Sequence, residues 1–318
     1  RQLKRRLAET EADILARQPA LLVTIDSPGF TLRIAEAVKP HGIRVLHYVA
    51  PQVWAWRPGR VKKLRHKIDH LLCLLPFEPA FFEAAEIPVR FVGHPVLESG
   101  VDQGSAARFR ARHGLAETDR PLIIMPGSRR SEATRLLPIF AETVKALSAQ
   151  VPGVRPIIPV SPIVAPLIRA ATAHWPSAPI LVDQLDEKHD AFAAAAQNGA
   201  GLIKSGTSSL EMAVAGVPHI VAYRVNPITA AIARRLVKVP HASLVNLLCQ
   251  REVVPEHIQE SCTPAALLKS LLPLLQEAQS GVAQRQGFAE TLAALQAPSG
   301  TPSEAAAAAV LAQLPTPP

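Results

Sequence analysis

Three segments of this chain combine residues that can do chemistry with the turns needed to present them. The first is Ile25-Asp26-Ser27-Pro28-Gly29-Phe30. An apolar run ends on a carboxylate, and a Ser-Pro-Gly turn follows. A carboxylate at a strand end can take a proton from a hydroxyl nucleophile as a general base. An Asp in that place can equally cap the next helix, and both roles stand open. The second is Met125-Pro126-Gly127-Ser128-Arg129-Arg130-Ser131. A strand ends, glycine allows close backbone approach, and a helix opens. Helix N-terminal amides with Arg129 suit a phosphate. The third, Lys204-Ser205-Gly206-Thr207-Ser208-Ser209-Leu210-Glu211, repeats that order. The amides and hydroxyls of Ser205, Gly206, Thr207 and Ser208 can hold a pyrophosphate. Glu211, one turn into the helix, can accept hydrogen bonds from ribose hydroxyls. Either loop alone could be a capped βα turn, with Glu211 completing a capping box. Two in one half favour a nucleotide diphosphate.

A basic stretch adds a different property. Residues 57–67 hold six Lys/Arg plus His66, and Trp54 and Trp56 precede them. Trp54, Trp56, Arg57, Arg60, Lys62 and Lys63 could touch an anionic membrane or a phosphorylated acceptor. A solvated helix face and buried indole rings are the bland alternatives. No HExxH, EF-hand loop or Asp-x-Asp pair occurs, and His41, His47, His66, His70 and His94 lack ligand spacing. Neither a metal nor a cofactor is expected. No GxSxG elbow or GxxxxGK[ST] loop is present, which disfavours a serine hydrolase and a Walker-type ATPase.

The elements that must position these segments alternate along the chain. Apolar runs at 21–26, 43–49, 70–75 and 89–92 read as strands, with helical patterns between them. Residues 93–120 break the rhythm and read as a connection. Strands then follow at 121–125, 154–160, 179–182, 201–204 and 219–223, interleaved with helices that include 131–150, 208–215 and 227–237. After residue 248 the pattern turns helical, and the alanine-rich end at 305–314 reads as a frayed helix. Short apolar strands separated by helices indicate parallel βαβ units. The expected fold class is α/β, with two doubly wound halves, and no short-period repeat is evident.

Composition bounds the partners. The 318 residues suggest about two domains. A net charge of +8 points to an anionic partner. Aromatics at 4% argue against base-stacking nucleic-acid modules, so no nucleic acid is expected. Cys73, Cys249 and Cys262 are odd in number and lack a CxxC, which excludes a disulfide framework and a cysteine zinc site. No run reaches the ~18 apolar residues of a membrane span, and the cytoplasm is the expected compartment. The first residue is Arg1, so the start can be an internal point of a longer protein.

A carboxylate in one α/β half and a nucleotide-diphosphate site in the other resemble a GT-B glycosyltransferase. That class works without bound metal, its positive groups neutralising the departing diphosphate. The particular segments resemble the lipid-A-disaccharide synthase family. The resemblance rests first on His47-Tyr48-Val49-Ala50-Pro51-Gln52-Val53-Trp54-Ala55-Trp56-Arg57. Leu75-Pro76-Phe77-Glu78, Phe91-Val92-Gly93-His94-Pro95, Pro126-Gly127-Ser128-Arg129, Ser205-Gly206-Thr207 with Glu211, Tyr223-Arg224 and Ser243-Leu244-Val245-Asn246-Leu247-Leu248 follow in family order.

The resemblance implies a GT-B fold of two Rossmann-like domains facing a cleft, the first incomplete. Family members open with a strand, a Gly-Glu-x-Ser-Gly-Asp loop and an apolar membrane-contacting segment, all lying before the point where this chain begins. The expected division is an acceptor domain at 1–118, a UDP-sugar domain at 119–262, and helices and tail at 263–318. The implied reaction joins UDP-2,3-diacylglucosamine to 2,3-diacylglucosamine 1-phosphate (lipid X), releases UDP and forms the lipid A disaccharide. Asp26 matches the general base. Arg129, Ser205, Gly206, Thr207, Glu211 and Asn246 fall in the donor region, and Gln52 in a cleft-facing motif. The implied site is the anionic inner-membrane surface, approached from the cytoplasm. The rivals are another UDP-sugar enzyme such as a UDP-GlcNAc 2-epimerase, which leaves the basic Trp-rich stretch unexplained, and a non-catalytic anion- or nucleic-acid-binding protein.

Overall fold

The computed structural model describes residues 2–52, 61–175, 177–226, 229–230, 239–277 and 279–314. Trp54, Trp56, Arg57, Arg60 and most of the helix expected at 227–237 lie outside the described residues. The chain forms two α/β units.

The first unit takes the chain up to Glu98 and the C-terminal stretch from Ala294. Its sheet is parallel, with β1 (Leu22–Ile25), β2 (Val45–Tyr48), β3 (His70–Cys73) and β4 (Val89–Phe91) in chain order. The register sets Thr24 opposite His47 and Ile25 opposite Tyr48. Successive side chains of a strand point to opposite faces. Val45, Leu71 and Cys73 therefore join one core with Ile34, Ala35 and Val38 of the helix Pro28–Val38. Leu46 and Leu72 join the other, beneath Ala305 and Ala309. Burial on both faces explains why β2 and β3 read as apolar runs rather than as alternation, whereas Val23 and Ile25 of β1 are exposed.

The alanine-rich end is an ordered helix, Pro302–Leu311, rather than a frayed one. Thr301 Oγ1 accepts from the Glu304 amide at 3.3 Å, and Glu304 Oε2 accepts from the Thr301 amide at 2.9 Å. Glu98 accepts from both the amide and the hydroxyl of Ser303 at 2.8 Å. Alanine side chains let the helix sit close on the sheet, and a capping box fixes its start.

The second unit runs from Ser99 to Ala293 among the described residues. Its six parallel strands are β5 (Arg120–Met125), β6 (Val154–Pro159), β7 (Ile180–Val182), β8 (Ala200–Lys204), β9 (His219–Tyr223) and β10 (Glu256–Ile258), in the order β10-β9-β8-β5-β6-β7. The three-residue β10 was not apparent from the sequence and pairs with β9. The segment 99–118, expected with the first half, belongs here. Its helix Ala106–His113 packs on the helix Leu185–Asn198, where Arg108 Nη2 meets the buried Asp190 at 2.6 Å and Arg110 Nη2 meets Asn198 at 2.7 Å. The expected C-terminal block 263–318 is divided as well. The helix Pro264–Gln276 packs on β8, β9 and the helix Arg130–Ser148, while Pro302–Leu311 belongs to the first unit.

The strand order locates a switch point. From β5 the chain moves outward through β6 and β7, then returns to lay β8 on the other side of β5. Ligands of open α/β sheets bind beyond the carboxyl ends of the strands at such a reversal. The loops after β5 and β8 are the two loops singled out from the sequence.

Candidate functional site

The loop after β5 turns at Gly127, whose φ of +108° is unfavourable for other residues. A Cβ there would stand 2.6 Å from Glu132 Oε2. The absent side chain leaves room for Glu132 to fold back over the loop. Arg129 is the N-cap residue of the helix Arg130–Ser148, with extended dihedrals. Its guanidinium donates to Glu132 Oε1 at 2.9 Å and is 75% exposed.

The same oxygen receives Lys204 Nζ, at 3.3 Å, from the end of β8. One carboxylate thus ties the two loops together at the switch point. Burial would raise the Glu132 pKa, but Lys204 and Arg129 together hold it below the ordinary carboxylate value. The Lys204 ammonium also lies 5.3 Å from the centroid of the Tyr223 ring. Burial, followed by the charge of Glu132, pushes that phenol up and keeps it protonated at neutral pH.

The remaining residues expected at this site divide sharply. Thr207 is exposed at the N-cap of the helix Ser208–Val214 and makes no side-chain capping bond. Ser205 is buried, and its hydroxyl donates to Ala242 O at 2.7 Å, pinning the following loop. Glu211 Oε1 accepts from Lys188 Nζ at 2.8 Å.

Asn246 is fully buried, and each of its amide positions is occupied. Nδ2 donates to Val254 O at 2.9 Å and Glu256 Oε1 at 2.8 Å, while Oδ1 accepts from the amides of Val253 at 2.8 Å and Val254 at 3.0 Å. Glu256 also accepts from the amides of Ala242 and Ser243, both at 2.8 Å. Beneath the loop, Ser209 Oγ lies 2.8 Å from His219 Nε2 and 3.0 Å from Ser243 Oγ. Burial lowers the His219 pKa to about 4, so the ring is neutral. Asn246, Glu256, Ser209, Ser243 and His219 form a buried scaffold that sets the position of Ser205. Glu132 could have been found from the sequence, since it stands at capping-box spacing after Arg129. Glu256 could not, because its partners come from a loop and a helix ten or more residues earlier.

In the first unit, Asp26 follows β1. Asp26 and Ser27 both have left-handed backbones, φ 47° and 45°. The Asp26 amide donates to Tyr48 O at 2.9 Å, and Thr31 Oγ1 donates to Asp26 O at 2.6 Å. These bonds at either side of the residue hold a conformation that is costly for a non-glycine pair. Asp26 is not the helix cap: Ser27 occupies that position, and no side chain caps there. The Asp26 carboxylate is exposed and accepts no hydrogen bond among the described residues.

The Asp26 charge reaches His47 on β2, a fully buried ring whose Nδ1 lies 2.8 Å from Thr24 Oγ1. Burial outweighs that charge and lowers the His47 pKa to about 4. Gln52 is exposed in a turn after β2. Glu78, from another of the family-like strings, is buried and accepts from the amides of Leu74 and Leu75 at 3.1 and 3.0 Å, closing the end of β3.

The basic stretch is only partly described. Lys62 and Lys63 are exposed on the short helix Val61–Leu64, whose Val61 and Leu64 are buried. Arg65 pairs with Glu86, and Lys67 with Glu36.

Comparisons with known proteins agree with this architecture. Solved structures of similar fold include UDP-GlcNAc 2-epimerase from Neisseria meningitidis bound to UDP-GlcNAc, with a TM-score of 0.64 at 12% identity over 98% of this chain and 80% of that one. A UDP-forming trehalose-phosphate synthase from Burkholderia xenovorans gives a TM-score of 0.58 at 12% identity over 99% and 79%. At such identities the likeness shows the fold alone, which is of GT-B type. Sequence likeness goes further. The lipid-A-disaccharide synthase of Gluconobacter oxydans is 54% identical over 98% of this chain and 74% of its own length. That of Granulibacter bethesdensis is 51% identical over 97% and 81%. The lipid-A-disaccharide synthetase family profile matches residues 1–310. With motifs in family order, a fold that fits them and relatives of this identity across nearly its whole length, the chain belongs to the lipid-A-disaccharide synthetase family.

Proposed function

We propose that this chain is an inverting glycosyltransferase that joins UDP-2,3-diacylglucosamine to lipid X, giving lipid A disaccharide 1-phosphate and UDP. The acceptor's primary hydroxyl attacks the anomeric carbon of the donor. Its proton passes to Asp26 as the new C–O bond forms. The bond from the anomeric carbon to the β-phosphate oxygen breaks, and its electron pair leaves with UDP. Arg129 and the amide end of the helix Arg130–Ser148 stabilise the charge that develops there. Exposed Thr207 and the backbone of Gly206 line the diphosphate, and Glu211 takes the ribose. The buried Asn246 supports that loop from behind instead of touching the donor.

The observation that best supports the donor side is the single Glu132 carboxylate that links the β5 and β8 loops at the sheet's switch point. Asp26 is supported by its exposed carboxylate at the end of β1, which accepts no hydrogen bond among the described residues. A base must have a free lone pair and a fixed position, and this turn provides both.

No helix among the described residues is long and apolar enough to cross a membrane. We place the enzyme peripherally on the cytoplasmic face of the inner membrane, where lipid X and the donor reside. Lys62 and Lys63 carry the described part of that contact, because Arg65 and Lys67 are engaged with Glu86 and Glu36.

The test is disaccharide formation from purified UDP-2,3-diacylglucosamine and lipid X, comparing the native chain with Asp26→Asn. A positioned base contributes about 10²–10⁴-fold. Asp26→Asn should lower kcat by that factor with unchanged donor affinity and melting temperature. Near-normal turnover in the variant would place the base elsewhere.

A further inference from the structure

One cation at the switch point has no part in the mechanism so far. Lys204 closes β8 immediately before the Ser205-Gly206-Thr207 turn. Its Nζ lies 3.3 Å from Glu132 Oε1 and 5.3 Å from the Tyr223 ring centroid. A Cβ on Gly206 would stand 3.7 Å from it, so the ammonium rests directly on the turn. The side chain is only 19% exposed. Ordering and partly drying a lysine is unfavourable unless its charge is used.

Neutralising Glu132 does not require it. Arg129 already meets the same oxygen at 2.9 Å, and the carboxylate sits at the positive end of a 19-residue helix. Arg129, Lys204 and Glu132 together carry +1. A carboxylate between two cations keeps both aimed at one point while no other anion is present. A diphosphate arriving at that point meets the two cations but is repelled by Glu132.

We propose that Lys204 is a second phosphate-binding cation of the donor site, and that Glu132 is an internal counter-anion which the donor diphosphate displaces from it. The proposal rests on the donor-site reading above. A purely structural pairing of Lys204 with Glu132 makes the opposite forecast for the Glu132 variant, so the two can be separated.

The experiment is titration calorimetry of the native chain, Lys204→Met and Glu132→Gln with two probes, UDP and uridine. Uridine lacks the phosphates. Lys204→Met should weaken UDP binding by about tenfold or more, as expected for a lost charge-assisted bond, and leave uridine unchanged. Glutamine at position 132 retains capping-box geometry while removing the charge. Glu132→Gln should therefore tighten UDP binding about threefold, the size of a like-charge repulsion across roughly 6 Å at the dielectric of water, with uridine again unchanged. UDP binding that is unchanged or weaker in Glu132→Gln, at native melting temperature, overturns the counter-anion role. Native UDP affinity in Lys204→Met overturns the lysine's role. If Lys204→Met does not fold, Lys204→Gln replaces it under the same criterion. Absence of UDP binding by the native chain would instead remove the donor-site reading itself, before any variant is compared.

Discussion

Replacing Asn246 with alanine should unfold the support of the site rather than remove a contact with the nucleotide. The residue is fully buried and its amide makes four hydrogen bonds, to Val254 O, Glu256 Oε1, the Val253 amide and the Val254 amide. Truncation leaves two amides and a carbonyl without that partner and takes a donor from the Glu256 carboxylate. A typical hydrogen bond contributes about 1 kcal/mol net, and a buried group left unpaired costs about 1–3 kcal/mol. Backbone relaxation and water entry will recover part of this, so we expect a loss of about 3–5 kcal/mol. In a unit of this size that corresponds to a fall in melting temperature of roughly 10 °C. Trp175, at 9% exposure in the core of the second unit, is a suitable fluorescent reporter once Trp54 and Trp56 are replaced by phenylalanine. Below the transition, UDP affinity should change by no more than a few-fold. A variant that melts within 2 °C (about 1 kcal/mol or less) of the native chain yet loses UDP binding tenfold or more would refute this reasoning and return Asn246 to direct donor contact.

The other expectations concern single features. Ser27 has φ 45° and ψ 50°, a conformation that costs a non-glycine residue about 1–2 kcal/mol, more than the roughly 0.4–1 kcal/mol of added chain entropy, so Ser27→Gly should raise the melting temperature of the first unit slightly; a clear fall would show that the serine side chain stabilises the turn. His47, His94 and His219 each have a pKa lowered to about 4 by burial. The unfolded chain therefore binds protons below pH ~6.5 that the folded chain refuses, and stability falls from there toward pH 4, by about 2 kcal/mol per ring at pH 5; urea melts at pH 7 and 5 that coincide would contradict this. Lys62→Ala with Lys63→Ala should weaken binding to vesicles rich in anionic lipid by an amount near 1 kcal/mol per charge, an effect that high salt should erase; equal sedimentation with vesicles would remove these lysines from the membrane face.

The fold was legible wherever burial was two-sided. A parallel strand covered on both faces must be apolar throughout, so β2, β3, β5, β8 and β9 stood out, while β1 stood out on composition although its Val23 and Ile25 are exposed. β10 did not, because Glu-His-Ile at 256–258 is a half-buried edge strand, and its Glu256 serves the loop before it. Residues 99–118 looked like a connector since they are polar. Their packing against the helix Leu185–Asn198 runs through Arg108, Arg110, Asp190 and Asn198, and hydrophobic patterning is blind to such pairs. The alanine-rich tail reads as a frayed helix for a related reason. Alanine carries little burial signal, yet its small size is what allows the helix to settle on Leu46 and Leu72.

In the candidate site, spacing revealed where the chain turns, and the hydrogen bonds decide what each turn has left to offer. The two phosphate-type loops were visible because strand, small residues and helix recur in sequence. Whether a side chain in such a loop can meet a ligand depends on its remaining capacity, which only the folded partners determine. Asn246 and Thr207 both fall within motifs, but one has every amide position filled and the other has an exposed hydroxyl. Ser205, between them in character, donates to Ala242 and so binds the scaffold to the loop. The same criterion separates the carboxylates. Glu78 and Glu256 accept backbone amides and are structural; Glu132 is shared by two cations; Asp26 alone in this set is held by its backbone while its carboxylate makes no hydrogen bond among the described residues. A general base must accept a proton in the transition state, so a carboxylate already engaged would first have to give up a partner. On that argument the strained turn at Asp26 and Ser27 suits the proposed role: it fixes the residue through its amide and carbonyl, and leaves both carboxylate oxygens without a hydrogen bond among the described residues.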